Sequence, residues 1–129
     1  MPRKPSSQPN ELELDILRVL WDRGPCSARQ VHEALRAGRQ AVISATTKML
    51  QVMVDKGLLV RLDDERPIRF RPARSMRKTQ AGIVGDVIER VFGGAAEKLV
   101  LRAVEAGDLT SDQLAEIRRY IDEREGEAR

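Results

Sequence analysis

Cysteine and histidine are almost absent from this 129-residue chain, which carries one of each, Cys26 and His32. One thiol closes no disulfide framework, and one thiol with one imidazole builds no multi-thiolate metal cage within a chain. No metal and no cofactor are therefore expected, and a chain so poor in thiols suits the reducing cytoplasm. Aromatic residues make up only 3%, which argues against a single-strand binder that stacks bases on aromatic side chains. No apolar run approaches the roughly 20 residues needed to cross a bilayer, so no membrane partner is expected. The first ten residues lack the apolar segment of a secretory signal. Enzyme signatures are missing too. There is no phosphate-binding Walker loop and no dinucleotide glycine fingerprint, and Gly93-Gly94 reads as a helix break. Cys26 and His32 sit around one short helix, where Cys26 reads as a small apolar residue before the helix start and His32 as a solvated helix residue. No catalytic residue is expected, and the acidic pair Asp63-Asp64 falls in a turn that reads as exposed.

What the chain does have is a 41% hydrophobic fraction, enough to bury a core, and a 33% charged fraction with a net charge of +3. That net value hides an asymmetry. Residues 1–80 hold 16 Lys and Arg against 9 Asp and Glu, a net +7, whereas residues 81–129 hold 7 against 11, a net −4. A basic part joined to an acidic part points to a polyanion-binding module attached to a segment with another task.

Helix punctuation organises the chain. Residues 1–9 form a Pro- and Ser-rich arm. Asn10 and Glu13 make a capping box, with Pro9 and Leu14 at the staple positions. Leu12, Ile16, Val19 and Leu20 then recur at helical spacing with Trp21, a core candidate, close behind, until Gly24-Pro25 stops the helix. Ser27 and Gln30 open a second helix with Val31, Ala34 and Leu35 as its stripe, ended by Gly38. A third helix is expected from about Ser44 to Lys56, with Thr46, Met49, Leu50 and Met53 inward and Gly57 as its stop. The period then changes to alternation. Leu58–Leu62 and Ile68–Phe70 read as two strands around a charged turn, with Ile68 and Phe70 on one face and Arg69 and Arg71 on the other. Three helices followed by a hairpin is the winged helix-turn-helix order, expected over residues 10–74.

Residues 75–129 read as helices of a different kind. Val84, Val87, Ile88, Val91, Leu99, Leu101, Ile117 and Ile121 supply more aliphatic surface than three short helices can bury among themselves. Exposed on a monomer, that surface is a liability. A second copy of the chain is the simplest cover, giving a homodimer with a C-terminal helical dimerisation region. Thr110 and Gln113 form another capping box at the start of the last helix.

Duplex DNA is the expected partner of the basic part. A recognition helix turns a polar face into the major groove while its other face packs on the domain. Ser44, Thr47, Lys48, Gln51 and Asp55 form such a face, because these residues are linked by steps of three and four. Thr, Lys and Gln suit base edges and phosphates, and Gln offers adenine a bidentate contact. Arg39 and Gln40, just before this helix, are placed to clamp the backbone. Arg66, Arg69 and Arg71 of the hairpin, with Arg61 and Arg74 nearby, are placed to meet phosphates. The alternative is a winged-helix protein-interaction subunit that does not bind DNA. Such a module requires an apolar patch where this sequence offers Arg and Lys.

The stretches ELELDILRVLW (Glu11–Trp21), GPCSARQV (Gly24–Val31), TTKMLQVMVDKGLL (Thr46–Leu59), RFRP (Arg69–Pro72) and LTSDQLAEIRRYID (Leu109–Asp122) together resemble the penicillinase-repressor family (BlaI/MecI/CopY). The likeness covers nearly the whole chain after the arm. It implies a mainly α fold with a small β-hairpin: a winged helix-turn-helix domain followed by a helical dimerisation region. It also implies a homodimeric transcriptional repressor on a palindromic DNA operator. Four departures stand out. The C-terminal end has no cysteine-rich hook of the copper-responsive branch. Arg102-Ala103 replaces the Asn-Phe bond at which a regulatory protease pathway cleaves β-lactam-responsive members. Thr46 occupies what is usually an aliphatic core position, and the tryptophan often found before the recognition helix is missing.

Overall fold

The computed structural model describes residues 8–35 and 42–128. Helix α1 (Glu11–Arg23) starts at the expected capping box. The Asn10 side chain accepts the Glu13 N–H at 2.9 Å and the Glu13 carboxylate accepts the Asn10 N–H at 3.0 Å. Its end is set by Gly24, whose φ of 86° an L side chain rarely adopts. Strand β1 (Cys26–Ser27) leads directly into α2 (Ala28–Leu35), again through a capping box between Ser27 and Gln30. Helix α3 (Ile43–Asp55) begins one residue before the expected Ser44 and ends at the Lys56-Gly57 turn. Strands β2 (Leu59–Leu62) and β3 (Arg69–Pro72) form the hairpin, with the return strand one residue later than the alternation suggested.

The sheet has three strands in the order β1-β3-β2, all antiparallel, and not the two of an isolated hairpin. Cys26 pairs with Phe70 and Ser27 with Arg69 on one side of β3, and Arg61 pairs with Phe70 and Leu62 with Arg69 on the other. Cys26 is thus a buried sheet residue as well as the residue before a helix. Directly opposed residues share a face. Leu59, Arg61, Phe70 and Cys26 therefore lie on one face, and Val60, Leu62, Arg69 and Arg71 on the other.

Two compact units divide the chain, residues 1–85 and 86–129. The first holds the core, built from Ile16, Leu17 and Leu20 of α1, Val31 of α2, Leu50 and Met53 of α3, and Cys26, Leu59 and Phe70 of the sheet. Trp21 packs beside this core half-buried, its Nε1 donating to the Arg74 carbonyl at 3.1 Å. His32 is not the solvated residue its helix position implied. It is half-buried, and its Nδ1 lies 2.8 Å from the Thr46 hydroxyl, so the buried threonine of α3 has a polar partner.

Helix α4 (Met76–Phe92) runs across the division, and α5 (Ala96–Ala106) and α6 (Ser111–Glu127) lie in the second unit. The double glycine, Gly107 and the Thr110–Gln113 capping box end and start these helices where expected. None of the three contains a buried residue. No helix among the described residues is long and apolar enough to cross a membrane.

Candidate nucleic-acid interface

Helix α3 divides its surface three ways. Leu50 and Met53 are fully buried and Thr46 nearly so, which fixes the helix against the core. Ser44, Thr47, Lys48, Gln51 and Asp55 are all exposed, as expected of a polar crest. Ala45, Met49 and Val52 line a third flank that the polar periodicity concealed, and Val52 is exposed.

The crest stands between two grooves. On the wing side, an open groove of about 430 Å³ runs between α3 (Thr47, Gln51), the first turn of α2 and the hairpin. Its floor is apolar, from Ala28, Pro67, Ile68 and Phe70, and its cations are Arg29, Arg61 and Arg66. On the α1 side, a groove of about 310 Å³ is walled by Lys48 and Lys56 beside Met49 and Val52. Lys56 Nζ is also 2.9 Å from Glu13 Oε2, so the buried Glu13 carboxylate ties the start of α1 to the end of α3.

Polar groups on the wing side are already linked. Arg61 Nε donates to Asp63 Oδ1 at 2.7 Å and its Nη1 to Gln51 Oε1 at 3.4 Å, while Gln51 Nε2 donates to Asp55 Oδ1 at 3.1 Å. The Thr47 hydroxyl donates to the Ile43 carbonyl at 3.0 Å, leaving its oxygen to accept. Arg66 Nη1 donates to the Asp63 carbonyl at 3.4 Å.

The groove thus collects Thr47, Gln51 and Arg66 from the expected set. Ser44 and Lys48 lie elsewhere on the crest. Arg69 and Arg71 occupy the opposite face of the sheet, Arg69 within 3.7 Å of Glu65 and Arg71 donating to the Pro72 carbonyl at 3.1 Å. Arg39 and Gln40 fall outside the described residues. Arg61, expected with the hairpin arginines, lines the groove too, since alternation with Leu59 puts it on the core-side face. Arg29 joins without having been expected, because nothing local says that the first turn of α2 borders α3 and the wing.

Among the described residues, the aliphatic residues expected to pair two copies are covered only in part. Val84, Val91, Leu101 and Ile121 are exposed, Val91 by 69%, and Val87, Ile88, Leu99 and Ile117 are half-buried. Val100, Val104 and Tyr120 add further exposed surface. Arg102 and Ala103 lie exposed in mid-α5, with Arg102 3.5 Å from Glu105.

Comparison with known proteins places this arrangement. The transcriptional regulator BlaI of Mycobacterium tuberculosis is 29% identical over 117 residues, covering 89% of this chain and 83% of that protein. The methicillin resistance regulatory protein MecI of Mammaliicoccus sciuri is 20% identical over 112 residues, covering 87% and 91% respectively. A MarR family protein from Bacillus stearothermophilus aligns with a TM-score of 0.49 at 18% identity, over 93% of this chain and 75% of that one. The family model of the penicillinase repressor matches residues 9–123, from the arm's last residue into the final helix. The chain belongs to the penicillinase repressor family of winged-helix, DNA-binding transcriptional regulators.

Proposed function

We propose that the chain represses transcription as a homodimer, each copy seating α3 in the major groove of one half of a two-fold DNA operator. The observation that carries this reading is the polar crest of α3 standing between two grooves with cationic walls. A major groove about 12 Å wide admits one helix and is bordered by two phosphate backbones. Arg29 and Arg66 serve one border, and Lys48 with Lys56 the other. Thr47 and Gln51 read base edges, Ser44 lies at the entering end of the helix, and Arg69 and Arg71 add long-range attraction to phosphate. Arg39 and Gln40 clamp the backbone ahead of α3. Two copies pair through the uncovered aliphatic faces of α4–α6, which matches the two-fold symmetry of a palindromic site. Release by a regulatory protease at Arg102-Ala103 is the finer part of the same reading. In α5 that bond becomes a substrate only when the helix opens locally.

The test is selection of a preferred duplex from a randomised library, followed by titration of that duplex and of random DNA. A two-fold preferred sequence, bound by two chains, is the expected result. Binding of both duplexes with equal affinity, or of neither, overturns the reading.

A further inference from the structure

We propose that Arg61 is a positioning residue for Gln51 and thereby sets which base is read at one point of the operator; this rests on α3 being the reading helix. A glutamine on an exposed helix turns its amide either way, so alone it presents donor and acceptor in either order. Here both ends of the amide are anchored. Arg61 Nη1 lies 3.4 Å from Gln51 Oε1, and Asp55 Oδ1 lies 3.1 Å from Gln51 Nε2. Guanidinium nitrogens only donate and an ionised carboxylate only accepts, so these partners dictate the sense of the amide. Arg61 is itself held, because its Nε donates to Asp63 Oδ1 at 2.7 Å in the wing's own turn. The hydrogen-bonded chain Asp63–Arg61–Gln51–Asp55 therefore ties the wing to the reading helix.

Each anchored end keeps one free site, a lone pair on Oε1 and one N–H on Nε2. An acceptor beside a donor complements the N6 donor and N7 acceptor of adenine, whereas guanine offers two acceptors in the same place. Locking the order of the two sites favours adenine and rejects guanine. It also lowers the conformational freedom that the contact has to remove.

Arg61→Lys separates this role from simple phosphate attraction, because lysine keeps the charge and loses the fork that joins Asp63 to Gln51. The probes are duplexes recovered by the wild-type chain from a randomised library, their single-base-pair variants, and random DNA. The expected result is roughly tenfold weaker binding of the best duplex. The loss is confined to the base pair at which Gln51→Ala also loses preference, with random-DNA affinity and salt slope unchanged and no further loss when both substitutions are combined. Asp55→Asn, on the exposed side of α3, provides a second variant free of any effect on the wing fold. It should relax the same base pair without weakening random DNA. Equal weakening of all duplexes by Arg61→Lys makes Arg61 a phosphate contact, and losses that add to those of Gln51→Ala give it a base contact of its own; either overturns the proposal. A wild-type chain that recovers no preferred duplex fails earlier, and then the reading function falls with it.

Discussion

Glu13 uses its two carboxylate oxygens for different ends of the first unit. Oε1 accepts the Asn10 N–H and closes the cap of α1, while Oε2 holds Lys56 at the last turn of α3, where a cation also suits the helix dipole. The carboxylate is buried and the lysine half exposed, so deleting Glu13 removes two polar contacts and leaves Lys56 free to find water. Glu13→Ala should lower stability by about 1–3 kcal/mol, and Glu13→Gln, which keeps an acceptor for Asn10, by less. Urea denaturation checks both, and equal midpoints for wild type and Glu13→Ala would mean that neither contact matters to the fold. Thr46 presents the opposite case. Its hydroxyl is buried beside a half-exposed histidine, so Thr46→Val should change stability by less than about 1.5 kcal/mol, because His32 exchanges one hydrogen bond for another with water.

At the scale of elements, the wing depends on a strand only two residues long. An isolated two-stranded hairpin is marginal in water, and β1 adds a third strand whose Cys26 and Ser27 pair along β3. That pairing settles which way the hairpin faces. Leu59, Arg61 and Phe70 turn toward α3, and Arg69 and Arg71 turn away. The two outer arginines should therefore supply affinity without sequence choice. Neutralising both should weaken operator and random duplex alike and flatten the slope of log affinity against log salt by about one to two units. An unchanged slope would set the outer face of the wing clear of the backbone.

For the whole molecule, the uneven distribution of buried side chains is the governing fact. Among the described residues, every buried hydrophobic side chain falls in the span from Ile16 to Phe70, and α4–α6 bury none. Apolar surface removed from water is worth about 25 cal/mol per Å² before the cost of association, so the uncovered faces of Val91, Leu101, Ile121 and Tyr120 favour a stable pair. Sedimentation at micromolar concentration should give a dimer. Leu101→Glu with Ile121→Glu should give a monomer that keeps the melting transition of the first unit and loses most of its affinity for a two-fold duplex. A dimer that survives both charges would move the interface off these helices.

The described residues carried much of this fold in plain local signals, while the expected stop at Gly38 falls outside them. Three capping boxes, the stops at Gly24, Gly57, Gly93 and Gly107, and the switch from helical spacing to alternation after Gly57 are patterns within a few residues, and the hydrogen bonds of the caps close within the same few residues. The polar crest of α3 was legible for the same reason, since periodicity tells which residues share a face. Periodicity is silent on what that face will meet. The pairing of β1 with β3, the His32–Thr46 hydrogen bond, the Glu13–Lys56 bridge and the Arg61–Gln51 link join residues from different elements. The amino-acid sequence alone determined where helices begin and end, which faces are apolar and where positive charge concentrates, because those depend on neighbours along the chain. Only the tertiary structure decided that Arg29 borders α3 and that Arg61 reaches Gln51, because packing on a common core sets the distances between elements.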